Sequence, residues 1–94
     1  MPAQTAIRVT KEEPDVYDVE VAAARATRHR VTAGTGDVER LTGAKANAER
    51  LIEESFRFLL EREPNTSILR SFDITDISQY FPEYEREIRR RLAK

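Results

Sequence analysis

Between Asn47 and Pro64 the chain carries apolar side chains over more of a helical circumference than one contact can bury. At about 100° per residue, Ala48, Leu51, Ile52, Ser55, Phe56, Phe58, Leu59 and Leu60 fill an arc of roughly 200°. Arg50, Glu53, Glu54, Arg57 and Glu61 fill most of the rest and offer Arg50/Glu54, Glu53/Arg57 and Arg57/Glu61 pairs at i,i+4. Asn47 is placed to accept from the free first-turn amides, Glu49 suits the positive end of the dipole, and Pro64-Asn65 stops the helix. So broad an arc requires two neighbours: a sheet on one flank, and another helix or a partner chain on the other.

The first third of the chain has the period of strands. Ile7 and Val9 alternate with Arg8 and Thr10; after the turn signal Glu13-Pro14-Asp15, Tyr17, Val19 and Val21 alternate with Asp18, Glu20 and Ala22. From Arg25 to Ala33, Thr27, His29 and Val31 share one face and Ala26, Arg28, Arg30 and Thr32 the other. The prediction is a short antiparallel sheet of two to three strands with one wet face, covered by the central helix and a C-terminal helix in an α+β arrangement. Asp37 is expected to cap a short helical turn carrying Val38 and Leu41, and Gly43 to end it at positive φ. Ile68, Leu69 and Phe72 are expected core anchors in the connection from Thr66 to Asp73. Asp73 and Thr75 offer caps for a turn holding Ile77, Tyr80 and Phe81. Pro82 suits the first position of the last helix, with Phe81, Tyr84, Ile88 and Leu92 as its apolar stripe.

Ninety-four residues suffice for one domain, 1–94, with 1–5 expected to be disordered. Seventeen acidic residues against 16 basic ones give a formal charge of -1, so any attraction to nucleic acid or an anionic membrane requires local segregation of charge. The absence of cysteine excludes disulfides, thiolate catalysis and cysteine-ligated metal. The N-terminal Met-Pro-Ala-Gln-Thr has neither the basic segment nor the apolar core of a signal peptide, and no apolar run approaches the roughly 20 residues that span a bilayer. No membrane association is expected, and the expected compartment is the cytoplasm.

His29, the only histidine, is the residue any acid–base or metal proposal must use. Its neighbours in phase favour a partly buried, hydrogen-bonded imidazole with a possible pH response, and no acid sits at ligand spacing from it. A Ser55–His29–Asp73 hydrolase arrangement lacks a G-x-S-x-G elbow. Gly34-Thr35-Gly36 meets neither the phosphate-loop pattern, which Lys45-Ala46 fails, nor the dinucleotide fingerprint. No catalytic residue, cofactor or metal is therefore expected. Two basic patches remain: Arg25, Arg28 and Arg30 around the third strand, and Arg86, Arg89, Arg90, Arg91 and Lys94 on the terminal helix.

The segments His29-Arg30-Val31, Leu41-Thr42-Gly43, Ser55 through Pro64, Ser67-Ile68-Leu69, Phe72 and Tyr80-Phe81-Pro82 resemble those of a small bacterial protein family of unassigned function. The resemblance spans about the last two-thirds of the chain and implies a compact α+β domain of bacterial origin, with no catalytic residues to carry over. The favoured reading is a non-enzymatic accessory or protein-interaction domain that self-associates or binds a protein partner through the surplus apolar arc, with Phe58 at the contact. The alternatives are a nucleic-acid-binding module using Arg25, Arg28, Arg30 and the C-terminal arginines Arg86, Arg89 and Arg90, and a small enzyme using His29.

Overall fold

A computed structural model describes residues 5–44 and 46–93. Three strands, β1 (Ala6–Glu13), β2 (Val16–Ala22) and β3 (Thr27–Thr32), form an antiparallel meander. Two helices follow, α1 (Thr35–Thr42) and α2 (Ala48–Leu60), and the chain then returns to the sheet as β4 (Ser71–Asp73) before α3 (Ile77–Tyr80) and α4 (Tyr84–Leu92). The sheet order is β1-β2-β3-β4, and β4 runs parallel to β3 with Val31 opposite Phe72. A parallel pair needs a long crossover, which α1 and α2 supply. The fold is α+β, a short sheet against helices, with one strand more than the two or three expected and one parallel pairing.

The predicted alternation places the side chains as read. Tyr17, Val19, Val21, His29 and Val31 turn inward and are buried. The opposite face is wet, with Glu20 between Arg8 and Arg28, and Asp18 between Thr10 and Arg30. Asp15, at φ 67°, makes the turn from β1 to β2, a left-handed backbone that aspartate tolerates better than most residues. The Asn47 side chain caps α2 by accepting from the Arg50 amide at 2.8 Å. Gly43 ends α1 at φ 61° as expected, whereas Gly34 rather than Asp37 occupies its N-cap position. Asp73 and Asp76 form a reciprocal capping box around Ile74 and Thr75. The last helix begins at Tyr84, two positions after Pro82. The expected disorder of residues 1–5 falls, Thr5 apart, outside the described residues.

Helix α2 is buried on two flanks. Phe56 meets the sheet side, its ring 5.2 Å from His29 and 6.0 Å from Phe72. Phe58 points the other way, edge-on to Phe81 at 5.8 Å and Tyr84 at 5.3 Å. The Arg62 guanidinium closes over the Phe58 ring at 3.6 Å, a cation–π contact that also excludes water. The second neighbour of α2 is thus the C-terminal segment of the same chain. This corrects the expected role of Phe58 as a contact residue: it is 0% exposed and has no surface to offer a partner. Two of the anticipated i,i+4 pairs are replaced. Glu53 does meet Arg57 at 2.9 Å, but Glu61 reaches Arg91 of α4 at 2.7 Å.

Between α2 and α4, the buried Ser55 hydroxyl donates to the Leu51 carbonyl at 2.7 Å and accepts from the Tyr84 hydroxyl at 2.6 Å. Burial pushes the Tyr84 phenol far above its ordinary range. Since the folded chain holds this proton more tightly than the unfolded chain, its contribution to stability is complete below about pH 10 and declines as pH rises beyond it. Denaturant midpoints measured from pH 8 to pH 11 should therefore fall at the alkaline end. Tyr84→Phe should flatten that fall while costing about 0.5–1.5 kcal/mol at neutral pH. A residual slope is expected from Tyr17, whose phenol is also raised, by burial first and then by Glu49 and Asp15. At the other flank, Phe58→Ala should cost about 3–5 kcal/mol by urea unfolding, the loss typical of an enclosed aromatic.

Candidate functional site

Residues 65–70, between the end of α2 and β4, have little regular structure, so their polar atoms need other partners. Asn65–Ser67 form one tight turn, closed by the Ser67 amide on Pro64 and the Ile68 amide on Asn65. The buried Asn65 side chain donates through Nδ2 to the Arg25 carbonyl at 2.7 Å and to Thr27 Oγ1 at 2.8 Å. Thr27 Oγ1 meets His29 Nε2 at 2.9 Å, and His29 Nδ1 meets the Leu69 carbonyl at 2.7 Å. A carbonyl only accepts, so Nδ1 carries a proton, and in the neutral imidazole Nε2 accepts a hydrogen bond from the Thr27 hydroxyl. This relay staples the irregular segment to β3. Among the described residues no buried side-chain polar atom lacks a partner.

The stapled segment separates two depressions of different chemistry that share Ile68. One is an apolar groove of about 210 Å³ built from Leu59, Phe72, Ile77 and Phe81, with Leu69 and Tyr80 on its margin and Glu63 and Asp76 as its charged residues. Leu69 was expected to anchor the core, yet it is 53% exposed and Tyr80 69%, the two large apolar side chains so exposed among the described residues. The other is a cleft of about 430 Å³ between the loop leading into β3 and residues 65–70. Arg25, Arg28 and Arg70 line it with Thr27, His29, Asn65 and Thr66, and no carboxylate takes part.

The basic residues singled out in the sequence are dispersed. Arg25 and Arg28 both line this cleft, as does Arg70, which lies far along the chain and gives no local signal. Arg28 also reaches Asp18 on the wet face at 3.1 Å, and that hydrogen bond raises the guanidinium above its ordinary pKa. Arg30 is outside the cleft and bonded to Glu13. On α4, Arg89 lies 3.9 Å from Glu85, Arg90 is bonded to Glu87, and Arg86 is exposed; none of the three lines either depression. The Arg90 bond holds the Glu87 carboxyl below its usual range; desolvation opposes this, and the charges of Arg90 and Arg91 with the Arg91 bond reinforce it.

His29 is 2% exposed and occupied at both nitrogens, Ser55 is bonded to Leu51 and Tyr84, and Asp73 caps Thr75. The three do not assemble into a nucleophile, base and orienting acid. Among the described residues no group of three or more His, Asp or Glu side chains could hold a metal ion, and no helix is long and apolar enough to cross a membrane. No protein-family model, curated protein or solved structure matches the chain.

Thr27→Val keeps the shape of the relay while removing its central hydroxyl, leaving Asn65 Nδ2 and His29 Nε2 each short of a partner. The expected loss is about 1–3 kcal/mol by urea denaturation. In the parent protein, long-range ¹H–¹⁵N spectra of the imidazole should show the Nδ1–H tautomer; an Nε2–H tautomer would contradict the relay.

Proposed function

We propose that the protein is a non-enzymatic interaction domain whose apolar groove receives a segment of a partner protein bearing an apolar side chain next to a lysine or arginine. The observation that carries this reading is the coincidence of Leu69 and Tyr80, exposed apolar side chains that border a single groove. Exposed apolar surface is unfavourable unless it is covered in use, and a clustered pair is more informative than scattered ones. A volume of about 210 Å³ suits one or two anchoring side chains; whole-ligand pockets run from about 300 to 1,000 Å³. The charged groove residues, Glu63 and Asp76, are both acidic, which selects a basic neighbour for the anchor.

The contact surface has moved from the broad arc of α2, consumed by α4, to the segment beyond it. A bacterial origin, supported by the resemblance noted in the sequence, belongs to the same proposal, as does a cytoplasmic setting. The nucleic-acid alternative is weaker because Arg89 and Arg90 already have carboxylate partners, and a polymer-binding track needs continuous free charge.

Selection of a phage-displayed peptide library against the folded protein should enrich sequences with an apolar residue beside Lys or Arg. Their synthetic counterparts should bind Leu69→Asp and Glu63→Lys at least about tenfold more weakly, with both variants retaining the parent circular dichroism. An acidic consensus or no enrichment would refute the reading. So would a dimer in sedimentation velocity that Tyr80→Asp dissociates, because a second copy would then own the groove.

A further inference from the structure

We propose that the cleft between Arg25 and Arg70 is a binding site for a tetrahedral phosphate group, carried by a small phosphate monoester or present as the free ion. It is separate from the apolar groove and shares with it only Ile68. Arg25, Arg28 and Arg70 all line this cleft and no carboxylate does, in a chain whose formal charge is -1. Like charges gathered around open volume repel one another, and an anion seated among them removes that cost.

The walls are held by the protein's own bonds. The Arg25 carbonyl is fixed by Asn65 at 2.7 Å, and the Arg70 carbonyl accepts the Arg30 amide at 2.6 Å. Two guanidinium stems therefore start from clamped backbone on opposite sides of the cleft. Arg25 and Arg70 have no ion-pair partner among the described residues, while Arg28 shares its charge with Asp18. Guanidinium groups donate in pairs to oxyanions, and several of them match the three terminal oxygens and double charge of a phosphate better than one carboxylate.

The lining also limits the ligand. Its volume of about 430 Å³ lies within the range of small-ligand sites. No Phe, Tyr or Trp borders it and the His29 ring is only 2% exposed, so a base would find no open ring face on which to stack, as single-stranded nucleic acids usually require. Recognition rests on charge and on the Thr66 hydroxyl, because both Asn65 Nδ2 hydrogens are spent on the Arg25 carbonyl and Thr27.

The test is titration of the ¹⁵N-labelled full chain with sodium phosphate and, separately, with glycerol 3-phosphate, against glycerol and sodium chloride as controls. Saturable amide shifts at Thr27, Asn65, Thr66 and Arg70 are expected with both phosphates at millimolar concentration and with neither control. Tighter binding of the ester would identify a small phosphate monoester as the ligand, and tighter binding of the ion would identify free phosphate. Arg25→Gln and Arg70→Gln should each weaken binding about tenfold, while Arg30→Gln, outside the cleft, should leave it unchanged. The dispersion of the same spectra reports whether each variant is folded. Absence of saturable shifts, or shifts that survive both cleft substitutions, would overturn the site. Binding of oligouridylate at far lower concentration, with steep salt dependence, would also overturn it by assigning the cleft to a polymer.

Discussion

Phe56 and Phe58 leave α2 in nearly opposite directions, and both must be dry for the chain to fold. The sheet covers the first through His29 and Phe72; Phe81, Tyr84 and the Arg62 guanidinium cover the second. Each aromatic contributes about 1.5–3 kcal/mol on burial, a substantial fraction of the 5–15 kcal/mol by which domains exceed their unfolded states. The order of elements follows from this requirement. A helix with two apolar flanks must be central, so α4 has to fold back over it, and the connection that brings the chain around must cross from the end of α2 to the sheet edge.

That connection is where the surface chemistry collects. Residues 65–70 cannot pair as a helix or a full strand, and Asn65, Thr27 and His29 satisfy them instead. A polar relay so enclosed is costly to leave incomplete, which makes the segment a fixed ridge rather than a loose loop. A ridge held at this height leaves a depression on each side. One inherits the apolar floor of the core with acids at its margin, and the other inherits the arginines that flank β3. The two binding proposals are consequences of the same local staple acting on different neighbours.

Some of this was legible in the residues. Inward and outward faces of the three long strands, the Asn47 cap, the Gly43 stop and the apolar stripe of α4 all followed from local chemistry, because each depends on neighbours within a turn or a strand pair. β4 did not, since Ser71-Phe72-Asp73 contains one apolar residue and no period can be read from three positions. Leu69 was misplaced because it stands in a short apolar group, where periodicity cannot tell an inward side chain from an outward one. Within the candidate sites, His29, Arg25 and Arg28 were visible, but Arg70 was not: a single arginine between Leu69 and Ser71 has meaning only after β4 lies beside β3.

The amino-acid order alone determined that this chain has a central helix with two apolar flanks, a sheet with one charged face and a histidine among inward-facing residues. These are short-range properties, set by side-chain spacing and the fixed periods of helix and strand. Only the tertiary structure decided that the second flank of α2 is filled from within the same chain, which arginines share a cleft, and where apolar surface is left uncovered. Those outcomes depend on which distant segments meet, and contact between them is governed by the packing of the whole chain.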